Sequence, residues 1–182
     1  MKKILLMLLA TGGAAWAQTN APAEKPAESS PIEISSDSGH YDGNTRQMIY
    51  TGHVVAIDAQ SKMTCAVLTV DLPADGGHPT NIVAETDVVI DRVDEKGQTN
   101  HITADHAVYT YSVVNAVTNE IATFTGGQPT PRVENDQMII VGDPLVMDLL
   151  TKQFSGKKYK TTFKQNPNAD GDTNASPLNF LK

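Results

Sequence analysis

The chain has 182 residues, enough for one domain with tails, and carries 14 basic against 21 acidic side chains, a net charge of −7. That balance repels polyanions, which excludes nucleic acid as a partner and disfavours anionic membrane surfaces. With a single cysteine, Cys65, no internal disulfide can form, so the core and the hydrogen-bond ladders must hold the fold.

The chain opens MKKILLMLLATGGAAWAQ. Lys2 and Lys3 form a basic start, Ile4 to Ala10 a short apolar run, and Ala15-Trp16-Ala17 fits cleavage before Gln18. This pattern predicts a secretory signal peptide over residues 1–17. The apolar run falls short of the ~20 residues that a membrane span needs. No Cys follows it, which argues against lipoprotein processing. Cleavage removes two lysines and no acids, leaving 12 basic against 21 acidic groups, a net charge of −9 on the exported chain. Residues 18–30, QTNAPAEKPAESS, read as a flexible linker. Residues 165–182 are similarly polar and read as a disordered tail.

Between them, residues 31–164 are rich in Val, Ile and Thr, broken by Gly, Asp, Asn and Pro, with no sustained helical period. Short strands separated by turn signals predict an all-β domain. In PIEIS, Ile32 and Ile34 face one way and Glu33 and Ser35 the other. In AVLTVDL, the set Ala66, Leu68, Val70 and Leu72 opposes Val67, Thr69 and Asp71. In TDVVIDR, Val88 and Ile90 oppose Asp87, Val89 and Asp91; in LVMDL, Leu145, Met147 and Leu149 oppose Val146 and Asp148. A period of two gives each strand one apolar and one wet face. Cys65, inside such a strand, reads as a small buried apolar residue.

IYTGHVVAID (49–58) and IATFTGGQP (121–129) each place Thr-Gly after an aromatic. They belong to two larger units with matched spacing. Ile34, Asp37 and Tyr41 correspond to Ile102, Asp105 and Tyr109; Tyr50-Thr51-Gly52 to Phe124-Thr125-Gly126; Val70-Asp71-Leu72 to Met147-Asp148-Leu149. A unit that cannot bury its own apolar face must stack on its neighbour. A glycine repeated at one place in each unit predicts a corner in a folded-over sheet.

PIEISSDSGHYD (31–42), YTGHV (50–54), the following L-x-V-D run and ITADHAVY (102–109), in this order behind a signal peptide, resemble the periplasmic lipopolysaccharide-transport family, the LptA/OstA-like proteins. The resemblance spans residues 31–164. His53 and Gly127 depart from it, since the family usually carries Asn after Thr-Gly. It implies an OstA-like β-jelly-roll of two facing antiparallel sheets, open on one side. It implies a periplasmic carrier that holds the acyl chains of lipopolysaccharide between its sheets. It also implies inner- and outer-membrane transport components as partners, and head-to-tail pairing of copies into a bridge. Periodicity alone reads the inward faces as a closed core. With the resemblance, Ile32, Ile34, Leu68, Val70, Val88 and Ile90 become an acyl-chain groove, with Tyr109 and Tyr111 on one face at its opening. The alternative is a non-catalytic adaptor that only pairs its strand edges with envelope proteins.

The segment TKQFSGKKYKTTFK concentrates lysines. Lys157, Lys158 and Lys160 are read either as a solubilising edge or as contacts to the phosphates of a glycolipid head group. No catalytic residues are assigned: G-x-S-x-G, Gly-rich phosphate loops and H-E-x-x-H are missing, and the acids are spread over turns. No cofactor and no metal is expected. His101, Asp105 and His106 form the nearest candidate cluster, but adjacent strand residues point to opposite faces.

Overall fold

The structure, a computed structural model, describes residues 31–164 except 75 and 95. The signal peptide, linker and tail expected at 1–17, 18–30 and 165–182 lie outside the described residues.

Twelve strands form one antiparallel sheet: β1 (Glu33–Ser35), β2 (Ser38–Asp42), β3 (Gln47–Ile57), β4 (Ser61–Asp71), β5 (Asn81–Val93), β6 (Thr99–Val114), β7 (Val117–Thr125), β8 (Arg132–Glu134), β9 (Met138–Val141), β10 (Leu145–Asp148), β11 (Gln153–Gly156) and β12 (Lys160–Phe163). A line of bulges folds this sheet in two. Register shifts fall between Thr51 and Val54, Thr64 and Val67, and Glu85 and Val88. Consecutive left-handed residues absorb the bend, Gly52 and His53 (φ 81° and 45°) in β3 and Thr86 and Asp87 (65° and 53°) in β5. A bulge adds residues to one strand only, which bends it and increases its twist.

The fold line gives two facing half-sheets. One runs β2, the first half of β3, the second half of β4, the first half of β5, the second half of β6, then β7, β10 and β11. The other runs β1, then the remaining halves of β3 to β6, then β8, β9 and β12. The expected all-β jelly-roll of two facing sheets is therefore one folded sheet. The internal repeat is visible in its topology. β1–β5 is the first unit. In the second, β6 stands for β1 and β2, β7 and β8 for β3, β9 and β10 for β4, and β11 and β12 for β5.

The Thr-Gly sites are the corners. Asp37 donates its backbone N–H to the Gly52 carbonyl (2.8 Å), and a side chain at Gly52 would land on the Asp37 carboxylate. Gly126, at φ 152°, packs on the matching residue, where a side chain would meet the Cβ and backbone nitrogen of Asp105. Each repeat thus seats its Asp against its own glycine, a contact closer than any other residue permits.

The bulges also correct the alternation. Ala66 was expected on the face of Leu68, but the shift after Thr64 turns Cys65 inward instead, leaving it 6% exposed. Burial pushes its thiol pKa up, which suits an inert apolar residue. The driest part of the core lies near the fold line and includes Val54, Leu68, Val88, Phe124 and Leu145. Burying each such side chain stabilises the fold by about 1.5–3 kcal/mol.

Candidate functional site

Because successive strands pair in register, inward side chains line up as rungs across the half-sheets. One rung of the first half-sheet is Met48, Val70, Ile82, Tyr109, Ala122 and Met147. The next, nearer the fold line, is Tyr50, Leu68, Ala84, Ala107, Phe124 and Leu145. Facing them, the second half-sheet offers Ile34, Ala56, Met63, Ile90 and Ile102. The two halves diverge away from the fold line and do not fill the space between them. An open cavity of about 640 Å³ remains, lined by these three rungs apart from Leu145. A smaller cavity of about 190 Å³ shares Gln60, Arg92, Ile102, Met147 and Leu149 with it and adds Asn100, Lys152 and Phe154. Four of the rung residues are alanines, and their short side chains leave the room that larger ones would occupy.

The lining is mostly aliphatic, with few polar groups. The Tyr109 hydroxyl donates to Glu120 Oε1 at 2.9 Å; burial, together with that bond, drives its pKa far above the ordinary tyrosine value. Tyr109 is therefore a neutral, fixed polar point in an apolar wall. At the opposite end, Asp58 accepts from the Ser61 hydroxyl (2.6 Å) and from the backbone N–H groups of Gln60 and Ser61 (both 2.7 Å). Partial burial works to raise its pKa, but these bonds and the nearby Arg92 charge hold it below the usual carboxylate value.

The structure brings Ile32, Ile34, Leu68, Val70, Ile90 and Tyr109 together on this cavity. Val88 is not on it. It lies directly beyond the Thr86–Asp87 bend, where the half-sheets are pressed together, and is 1% exposed within the closed core. Tyr111 stands outside at the rim. Past Thr110, β6 leaves its pairing with β5, and the Tyr111 ring instead lies 5.4 Å from that of His78, a lining residue. Lys157, Lys158 and Lys160 lie at and just beyond the β11–β12 turn, exposed, and none lines either cavity. Sequence reading missed Met48, Tyr50, Ile82, Phe124 and Arg92; the first four share cross-strand rungs with Val70 and Leu68, which needs the register of the strands.

Among the described residues no group of three or more His, Cys, Asp or Glu side chains converges as a metal site requires. His101 turns to Asp91 (2.6 Å), His106 faces Glu85 (3.9 Å), and Asp105 packs on Gly126.

A folded antiparallel sheet around an open apolar cavity defines the class, a non-closed β-jelly-roll. Residues 33–153 match the family described as "LptA/(LptD N-terminal domain) LPS transport protein", and the chain belongs to that family. A solved structure, LptH of Pseudomonas aeruginosa, described as the LptA-homologous periplasmic component of the lipopolysaccharide transport device, has the same fold. It aligns with a TM-score of 0.62 and 13% sequence identity, over 75% of this chain and 96% of that one. No curated protein matches the chain.

Proposed function

We propose that this protein carries lipopolysaccharide across the periplasm, with the lipid A acyl chains held in the cavity between the half-sheets, and performs no chemistry on it. The observation that carries this reading is the open, apolar, unfilled interior. Each acyl methylene moved from water into it contributes about 0.8 kcal/mol, so several chains bind well despite the like net charge of protein and lipid. The family and the periplasmic neighbour support the same reading. Fluorescent lipid A titrated into delipidated protein is expected to bind saturably. An adaptor that only pairs strand edges would give no saturable signal.

The assembly reading follows from the repeat. The junction between the two units, β5 against β6, pairs Ile90 with Ile102 and Ile82 with Tyr109. At the two edges of the sheet formed by the described residues, the corresponding residues are Thr161 and Phe154 on one side and Ile34 and Tyr41 on the other. Among the described residues no strand pairs with these edges, which expose Tyr41 (52%) and Phe163 (72%). A second copy continues the sheet by repeating the internal junction, which gives heterologous, open-ended stacking of the cavities. Ile34→Cys and Thr161→Cys molecules, each with Cys65→Ala, are expected to form mixed disulfides when combined, since facing residues across such a ladder have Cβ atoms ~5 Å apart. Disulfides only between two Ile34→Cys molecules would instead indicate a two-fold dimer.

A further inference from the structure

One carboxylate stands on the cavity wall without a turn of its own to bond. Glu120, in the first half of β7, is half-buried and lines the cavity. Strand alternation puts it there, since it shares the inward face of Ala122 and Phe124, two and four residues further on. It lies one step further from the fold line than the rung of Ala122. Its surroundings on the wall are apolar: Ala122 on its own strand, and Leu149, whose backbone N–H donates to the Glu120 carbonyl at 2.9 Å. The other carboxylate on this wall, Asp58, is already held by three bonds from the β3–β4 turn.

The Glu120 carboxylate is fixed at one oxygen and open at the other. The Tyr109 hydroxyl, from the neighbouring strand β6, donates to Oε1 at 2.9 Å. Burial and this bond keep the phenol protonated, so it stays a donor and holds the carboxylate in place. Among the described residues nothing donates to Oε2. In the empty cavity water can reach that oxygen. A ligand that fills the cavity with apolar chains strips the water away, and an acceptor left so is costly unless the ligand supplies a donor.

The position restricts what that donor is. Glu120 and Phe124 are four residues apart, ~13 Å along the strand. A chain that enters past Glu120 and reaches Phe124 therefore leaves its head-proximal carbons beside Oε2. A neutral O–H satisfies the oxygen through a charge-assisted bond and brings no second charge into an apolar wall. We propose that Glu120, held by Tyr109, accepts a hydrogen bond from a hydroxyl group carried on an acyl chain of the ligand near its head, so that the cavity favours hydroxylated over plain chains. The proposal rests on the acyl-chain reading above and adds a determinant of selectivity to it. Apolar contact sets the strength of binding, and Glu120 sets which chains are preferred.

The test uses the full exported chain and two synthetic lipid A molecules. They differ only in whether the acyl chains attached to the sugar carry a hydroxyl near the head or a hydrogen in its place. The readout is the ratio of the two affinities from isothermal titration. The unaltered protein is expected to favour the hydroxylated lipid about tenfold, in line with one hydrogen bond to a charged group at a half-open site. Glu120→Leu keeps the bulk and removes the acceptor, and is expected to bring the ratio to about one without weakening the plain lipid. Tyr109→Phe leaves the carboxylate but frees its direction, and should give an intermediate ratio. A ratio of one in the unaltered protein, or a preference that survives Glu120→Leu, would overturn the proposal and leave the acyl-chain reading intact. Equal losses for both lipids in Glu120→Leu would also overturn it, assigning the carboxylate to a sugar hydroxyl of the head group that both lipids share. If neither lipid binds the unaltered protein, the acyl-chain reading fails and the proposal with it.

Discussion

Ala122→Trp is expected to weaken lipid A binding more than a hundredfold while leaving the sheet intact. Ala122 lies mid-strand in β7, between Tyr109 and Met147 on its rung, and its methyl group points into the open cavity. An indole there meets empty space instead of packed atoms, so the overpacking strain of a filled core does not arise. It does occupy the volume of several acyl methylenes. Excluding four of them forfeits ~3 kcal/mol, which is over two orders of magnitude in affinity. Isothermal titration with lipid A, alongside circular dichroism, checks both halves of this expectation. Retained affinity would mean that the chains bind elsewhere.

The second large effect concerns the fold. Gly126→Ala is expected to destabilise the domain by ~3 kcal/mol, a drop of roughly 10 °C in Tm. The added Cβ would lie 2.7 Å from the Asp105 Cβ, 3.0 Å from the Asp105 nitrogen and 3.2 Å from the Pro129 carbonyl oxygen. Two of these atoms are backbone at a corner held by strands on both sides, so they cannot simply rotate away. Gly97→Ala is the matched control. Its φ of 77° is also left-handed, but no atom lies within 4 Å of the new methyl. Its cost should be the conformational one alone, ~1–2 kcal/mol. Equal Tm losses for the two variants would show that close packing on Asp105 contributes nothing to the corner.

Those corners were the most legible part of the sequence. The Asp37/Gly52 and Asp105/Gly126 correspondences were visible as spacing, and the structure turns each into a physical contact. Alternation placed Ile34, Leu68, Val70 and Ile90 on the inward face because each lies within an unbroken run of pairing. It failed where a bulge intervenes. Ala66 and Cys65 exchange roles past the shift in β4, and Val88 is inward but too close to the bend to reach the open space. It failed again where a strand outruns its neighbours, as at Tyr111.

Whether the inward faces meet or stand apart was not legible from periodicity at all. That depends on how far the half-sheets diverge and on which rung positions hold alanine, Ala56, Ala84, Ala107 and Ala122. The lysine-rich segment stands out by composition, yet charge density does not say which residues line a cavity. Arg92 was overlooked because a lone arginine at a strand end carries no local signal. Its place on the cavity wall appears only when the β10–β11 turn is brought opposite it.

The most direct test places a photo-crosslinking amino acid at Ile34 or Ile90, and in separate molecules at Glu33 or Asp91, in cells that export the protein and make lipopolysaccharide. Ile34 and Ile90 line the cavity from the second half-sheet. Glu33 and Asp91 are their immediate neighbours on the opposite face, where Asp91 meets His101. On irradiation, the first pair is expected to yield lipopolysaccharide adducts and the second pair few. Equal capture from both pairs, or none from either, would contradict transport through the interior of the folded sheet.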